Sequence, residues 1–227
     1  MCGRVSISGA RSDFISYLRN QFQIESMKDD IVLPRYNVGP GQDVIAVLHD
    51  GVEYRSGLIQ WGFLPPFERD RFQSHKIINA KSETIDSLPT FRQSFQKKRC
   101  VIIVDGYYEW KNTLGVKQPM RIVLQSKGYF ALAGIWSMSK RPDQTNQFTC
   151  AVITVPASKK LQEIHSRMPL VLEGSSLEAW LDTRIQNPQE IRKSMQPMDD
   201  SKWSFYPVSS IVNKSTNDVL ACIEPLV

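Results

Sequence analysis

Five short runs in the middle of the chain narrow the folds open to it. Cys100–Asp105, Tyr107–Lys111, Met120–Leu124, Phe130–Ile135 and Phe148–Val155 are rich in β-branched and aromatic residues and are separated by turn residues. That pattern predicts strands. The helical patterns lie scattered around them and form no strand–helix–strand series, so a parallel doubly wound sheet is not expected. The predicted fold class is α+β: one domain over residues 1–227 with a mostly antiparallel, barrel-like β core and peripheral helices.

The flanking segments fit that plan. Arg4–Ser8 alternates as a strand. A helix starts at Ser12, with Phe14, Ile15, Leu18 and Phe22 at helical spacing. Val44–His49 and Val52–Leu58 read as a hairpin around Asp50-Gly51, a two-residue turn signal. Pro65-Pro66 breaks the chain after Trp61. Pro89 opens a helix that carries Phe91 and Phe95. Helices are expected over Ser158–Ile164, from Ser175 with Glu178 as a capping box, and from Asn187-Pro188. Trp203–Val208 and Val219–Ile223 are expected as late strands. No repeat, low-complexity tract or linker interrupts the 227 residues.

Composition sets bounds on function. Lys and Arg total 28 against 23 Asp and Glu, a net charge of +5. The surplus is compatible with a polyanionic partner but does not show one. Four cysteines stand at 2, 100, 150 and 222, with no CxxC or CxxH pair, so no metal site is expected. Cys100 and Cys150 sit in apolar runs as buried strand residues. The N-terminus lacks the pattern of a signal peptide. No apolar run reaches the ~20 residues of a membrane span. The expectation is a cytoplasmic protein with reduced thiols, at the nucleoid in a bacterial cell, with no membrane partner.

Several fragments hold reactive groups. Once Met1 is removed, Cys2 presents an α-amine and a thiol on adjacent carbons, with ordinary pKa values of about 8 and about 8.5. A 1,2-aminothiol condenses with an aldehyde to an imine and closes to a thiazolidine; an internal cysteine cannot. Alone, Cys2 reads first as an accident of an unstructured start. Glu109 lies in Gly106-Tyr107-Tyr108-Glu109-Trp110-Lys111. Driven into an apolar site it is a general acid or base; pointed to solvent by strand alternation it is nothing special. His165, in Ile164-His165-Ser166-Arg167-Met168-Pro169, is a proton carrier or a structural ring. His49 reads as solvated beside its turn, and His75 as a weak phosphate contact. Asn37, in Pro34-Arg35-Tyr36-Asn37, and Asn79 and Lys81, in Asn79-Ala80-Lys81-Ser82-Glu83-Thr84, offer hydrogen bonds and charge to sugar and phosphate, or serve as plain turns. Trp61, Phe63 and Phe67 are stacking surfaces for unpaired bases or core residues.

In order along the chain these fragments resemble the SRAP family, the SOS-response-associated peptidase-like proteins that shield abasic sites. The resemblance runs through Met1-Cys2-Gly3-Arg4, Pro34-Arg35-Tyr36-Asn37, Gln60-Trp61-Gly62, the Asn79–Thr84 stretch, Asp105-Gly106-Tyr107-Tyr108-Glu109-Trp110 and Ile164–Pro169. Trp203–Val208 and Asn213 fit its closing segment. It implies a β-barrel-like core with the Cys2 amine at the floor of a DNA groove. It implies Cys2 as the crosslinking residue, Glu109 and His165 as acid–base partners, and Asn79 as the residue that orients the reacting sugar. Arg4, Lys81 and Arg167 would contact phosphates, with Asn37 nearby, and Trp61 and Phe67 would be the stacking candidates. The implied partner is single-stranded DNA with an abasic site, met by a monomer without cofactor or metal. Two departures stand out. Lys81 replaces a common arginine and loses its bidentate fork. Pro65-Pro66-Phe67 stands where a stacking tryptophan is common. Two rival functions remain at this stage: an N-terminal-nucleophile peptidase built on Cys2, and a non-covalent single-strand-binding module.

Overall fold

The computed structural model describes residues 2–28, 30–65, 77–141 and 143–226. Phe67 and His75 lie outside them. Thirteen strands are formed among the described residues: β1 (Val5–Ile7), β2 (Arg35–Val38), β3 (Asp43–His49), β4 (Tyr54–Trp61), β5 (Asn79–Lys81), β6 (Arg99–Val104), β7 (Gly106–Thr113), β8 (Val116–Leu124), β9 (Phe130–Lys140), β10 (Asn146–Pro156), β11 (Arg167–Pro169), β12 (Val171–Leu172) and β13 (Trp203–Pro207). Four α-helices accompany them: α1 (Arg11–Phe22), α2 (Pro89–Lys97), α3 (Gly174–Leu181) and α4 (Pro188–Lys193).

The larger sheet runs β11-β10-β4-β3-β6-β9-β12, and β9 also pairs with β10. That extra pairing joins β10, β4, β3, β6 and β9 into a closed five-stranded barrel, which removes their free edges. All pairings are antiparallel except β4 and β5, which both run parallel to β10. The second sheet runs β13-β8-β7-β1-β2. The α+β class and the barrel-like, mostly antiparallel core are as predicted.

The core follows from the strand patterns. β6 is buried along its whole length, and Cys100 and Cys150 are fully buried, as their apolar surroundings predict. Trp61, Trp180 and Trp203 are also fully enclosed. Burial of each large apolar side chain contributes about 1.5–3 kcal/mol. A smaller cluster of Tyr108, Val208, Val212 and Cys222 lies apart from this core, beneath the C-terminal segment.

Four local expectations need correction. The β3–β4 turn spans the four residues Asp50–Glu53, because the Asp50 carboxylate accepts from Val52 N and Glu53 N and draws both into the loop. Ser158–Ile164 forms only the 3-10 turn Leu161–Glu163; pairing of Pro156 with Arg167 and the Ala157–Ser166 bond leave no room for a longer helix. The helix predicted from Ser175 starts at Gly174 with Glu173 as N-cap, so no capping box forms. Val219–Ile223 holds the 3-10 turn Leu220–Cys222; Val219 and Leu220 are exposed and offer a sheet nothing to bury. Asn187 does cap its helix, accepting from Gln189 N and Glu190 N.

Candidate active site around Cys2

The register of β1 on β7 positions the N-terminus. Val5 pairs with Tyr107 and Ser6 with Gly106, and Tyr108 N donates to Arg4 O at 2.9 Å. Continued toward the N-terminus, this antiparallel path carries Cys2 to the neighbourhood of Glu109. Cys2 is fully buried, and the Asn79 amide donates to its carbonyl oxygen at 2.8 Å. Burial, and after it the charge of Glu109, pushes the Cys2 thiol up, so it stays protonated near neutrality.

Glu109 is 4% exposed. Both faces of β7 are covered from Gly106 to Glu109, which defeats the simple alternation of inward and outward residues there. Tyr108 and Trp110 face the C-terminal cluster, while Tyr107 packs in the main core. Burial raises the Glu109 carboxyl above the usual range, and the positive charge of His165 opposes that rise. His165 follows the Leu161–Glu163 turn. Its Nδ1 lies 3.0 Å from Arg167 N and 3.2 Å from Arg167 O, so the Arg167 backbone fixes the ring in place. Glu109 and His165 meet in one cleft of about 590 Å³, lined also by Trp110, Asn112, Lys117 and Asn213.

Asn79 comes from β5, opposite Val152 of β10. Its Nδ2 holds Cys2, and its Oδ1 is buried with no hydrogen bond among the described residues. A buried amide oxygen of this kind is suited to accept from a bound hydroxyl. Cys2, Asn79, Glu109 and His165 thus come from four separate segments to one place. Lys81 is exposed two residues beyond Asn79.

Other predicted DNA contacts are engaged in the protein itself. Trp61 is 1% exposed and donates from Nε1 to Ile78 O at 2.9 Å, so it is a core residue and not a stacking surface. Asn37 is fully buried; its amide donates to Val212 O, Lys214 O and Asn217 O and ties β2 to the C-terminal segment. Arg4 is held by Asn37 Oδ1 and Val212 O and lies 6.0 Å from the Trp110 ring. Arg167 binds Glu83 through two parallel bonds, at 2.6 and 3.0 Å, and also donates to Thr154 O. These cations are clamps in this structure.

Asn112 and Lys117 were not anticipated. They face the cleft because Leu114 and Gly115, both at positive φ, turn the β7–β8 hairpin tightly. An X-Gly pair between two strand patterns carries that signal in the sequence. Asp218, which accepts from Tyr36 N and Asn37 N, had no such signal.

The chain is similar in sequence and in fold to known proteins. The abasic site processing protein YoqW of Bacillus subtilis (strain 168) is 35% identical over 99% of both chains. The abasic site processing protein HMCES of Gallus gallus is 30% identical over 100% of this chain and 78% of its own. YedK of Escherichia coli (strain K12), also named an abasic site processing protein, is 28% identical over the full length of both. A crystal structure of a protein from Bacteroides thetaiotaomicron superposes with a TM-score of 0.85 over 100% of each chain at 24% identity, which shows the shared fold. The SOS response associated peptidase (SRAP) pattern matches residues 1–215, and the chain therefore belongs to that family.

Proposed function

We propose that this protein processes abasic sites in single-stranded DNA by forming a thiazolidine crosslink through Cys2. The observation that carries the reading is a convergence of four groups: Glu109 and His165 line one cleft, fully buried Cys2 lies within electrostatic reach of Glu109, and the half-satisfied Asn79 amide holds the Cys2 carbonyl. The names of the relatives supply the substrate class.

The chemistry runs through groups of this chain. Removal of Met1 frees the Cys2 amine. An abasic deoxyribose opens to its aldehyde, and the Glu109 carboxyl gives and takes the protons of that opening. The neutral amine attacks C1′ to form a carbinolamine, whose hydroxyl leaves as water with a proton from Glu109 or His165. The thiol sulfur then bonds to the imine carbon, and its proton passes to the ring nitrogen. One water is lost overall. Acid–base help of this kind contributes roughly 10²–10⁴-fold. Ring closure removes the imine that would otherwise invite β-elimination and strand breakage. The Asn79 amide holds the Cys2 carbonyl and offers its free oxygen to the sugar. Exposed Lys81 supplies charge for a phosphate.

The test is the intact mass of the protein after incubation with a single-stranded oligonucleotide carrying one abasic site. The expected adduct equals the protein without Met1, plus DNA, minus one water. It should be absent with undamaged DNA. Cys2→Ala should form no stable adduct, though borohydride should still trap a Schiff base at its amine. A heat-stable adduct of Cys2→Ala formed without reductant would sink the scheme.

A further inference from the structure

β1 is only three residues long and starts close to the chain end, where strands fray. Its pairing with β7 is short, Val5–Tyr107 and Ser6–Gly106 with backbone bonds from Tyr108 N to Arg4 O and from Asp105 N to Ser6 O on either side, and its register with β2 shifts between Val5 and Ile7. A slip of one residue would move Cys2 by about 3.3 Å along β7. Misplacement of a reacting group by about 1 Å can lower a rate by 10²-fold. Beside the clamps on Arg4 and Cys2, side chains behind so short a ladder must help to fix this strand.

A buried ionic cluster behind β1 does so. The Asp105 carboxylate accepts from Ser6 Oγ at 2.7 Å and Arg121 Nη2 at 2.9 Å on one oxygen. On the other it accepts from both Ser8 N and Ser8 Oγ. Arg121, 7% exposed, donates through Nε and Nη2 to Ser6 Oγ and through Nη1 to Tyr206 OH at 2.7 Å. Tyr206 in turn donates to Ile223 O. The chain of bonds crosses β1, β8 and β13 and ends in the C-terminal segment. A buried ion pair is a weak source of stability, because desolvation offsets its attraction; its best-attested use is to fix registry. Gly106 leaves the space for it. A Cβ there would stand 2.7 Å from Arg121 Nε and 2.9 Å from Ser6 Oγ.

We propose that Asp105 and Arg121, with Ser6, Ser8 and Tyr206, are positioning residues that lock the register of β1 on β7 and so hold Cys2 against Glu109. The inference rests on the covalent reading of Cys2. None of these five side chains touches the cleft where substrate would sit, so each acts through the strand.

Single-turnover crosslinking at increasing concentrations of abasic oligonucleotide separates the maximal rate from half-saturation. Asp105→Asn removes the charge, Gly106→Ala displaces the cluster without removing any charge, and Tyr206→Phe removes only one anchor. Asp105→Asn and Gly106→Ala should lower the maximal rate roughly 10- to 100-fold. Tyr206→Phe, the mildest, should lower it less and fold like the wild type. Affinity for an undamaged oligonucleotide of the same length should stay unchanged in all three, measured well below each melting temperature. A purely structural cluster would lower the melting temperature and leave the maximal rate alone. Folded variants that crosslink at the wild-type rate overturn the lock. A wild type that forms no adduct overturns the covalent reading instead.

Discussion

At Glu109 a carboxyl is enclosed at the end of the buried half of β7, and burial raises its proton affinity. A carboxyl whose folded pKa lies above its unfolded value, about 4.3, binds its proton more tightly in the native state. Its contribution to stability is then fully present below the unfolded value and is lost as pH rises through the folded one. Glu109→Gln has no proton to lose. Compared with the wild type it should therefore be relatively more stable at pH 7 than at pH 4, by on the order of 1 kcal/mol for each tenfold gain in proton affinity. Urea midpoints at the two pH values measure this. An offset equal at both would mean that the carboxylate is held as comfortably as in water. The same variant should crosslink roughly 10²–10⁴-fold more slowly. A gain in stability joined to a loss of rate is the mark of a group kept for chemistry.

Between elements, the tie from Glu83 to Arg167 joins the loop after β5 to β11. The Arg167 bond draws the Glu83 carboxyl down to about 2, so the pair is intact at any physiological pH. Glu83 is half exposed, which keeps the tie's worth to stability small. Its effect on binding should be larger. Glu83→Gln releases the guanidinium next to Asn79 and Lys81, and affinity for undamaged single-stranded DNA should rise. The dependence of binding on salt should steepen by about one phosphate contact. Fluorescence anisotropy across a salt series reads both; an unchanged slope would make Arg167 a clamp only. Legibility in the sequence also divides by element. β6 and the inner stretches of β9 and β10 announce themselves because they are buried on both sides and mostly apolar. β2, β5, β11 and β12 have two to four residues, too few to set a period, and exist only because longer strands pair with them. The site shows the same division. Cys2, Asn79, Glu109 and His165 are visible as unusual residues in short motifs. The engagement of Asn37, Arg4 and Arg167 is not visible, because Val212, which holds the first two, and Glu83, which holds the third, lie 84 to 208 positions away.

Across the whole molecule, the last segment of the chain finishes what the first begins. Residues past β13 cover Tyr108 with Val212 and Cys222, receive Arg4 and Asn37 on their carbonyls, and lend Asn213 to the Trp110 indole at 2.8 Å. Asn37 is the keystone of that closure: it donates to three carbonyls and accepts from Arg4, while its own N–H reaches Asp218. Asn37→Ala would remove three hydrogen bonds to these carbonyls, each of which keeps one other donor, and one from the Arg4 guanidinium, which keeps Val212 O. Each lost hydrogen bond costs about 0.5–1.5 kcal/mol, more for one to a charged group. Partial relaxation of the segment should hold the net loss on the order of 3 kcal/mol, read as a lowered urea midpoint. If Asn37 works only through this closure, its loss should leave affinity for undamaged single-stranded DNA unchanged while the protein is folded. Lys81→Ala, which removes an exposed charge, should do the reverse: no loss of stability, weaker binding and a shallower salt dependence. A fall in affinity for Asn37→Ala as large as that for Lys81→Ala would return Asn37 to the DNA-contacting surface. The opposite pattern would mean that both chain ends are spent on one task, with the C-terminal segment holding the N-terminal strand in the place its first residue needs.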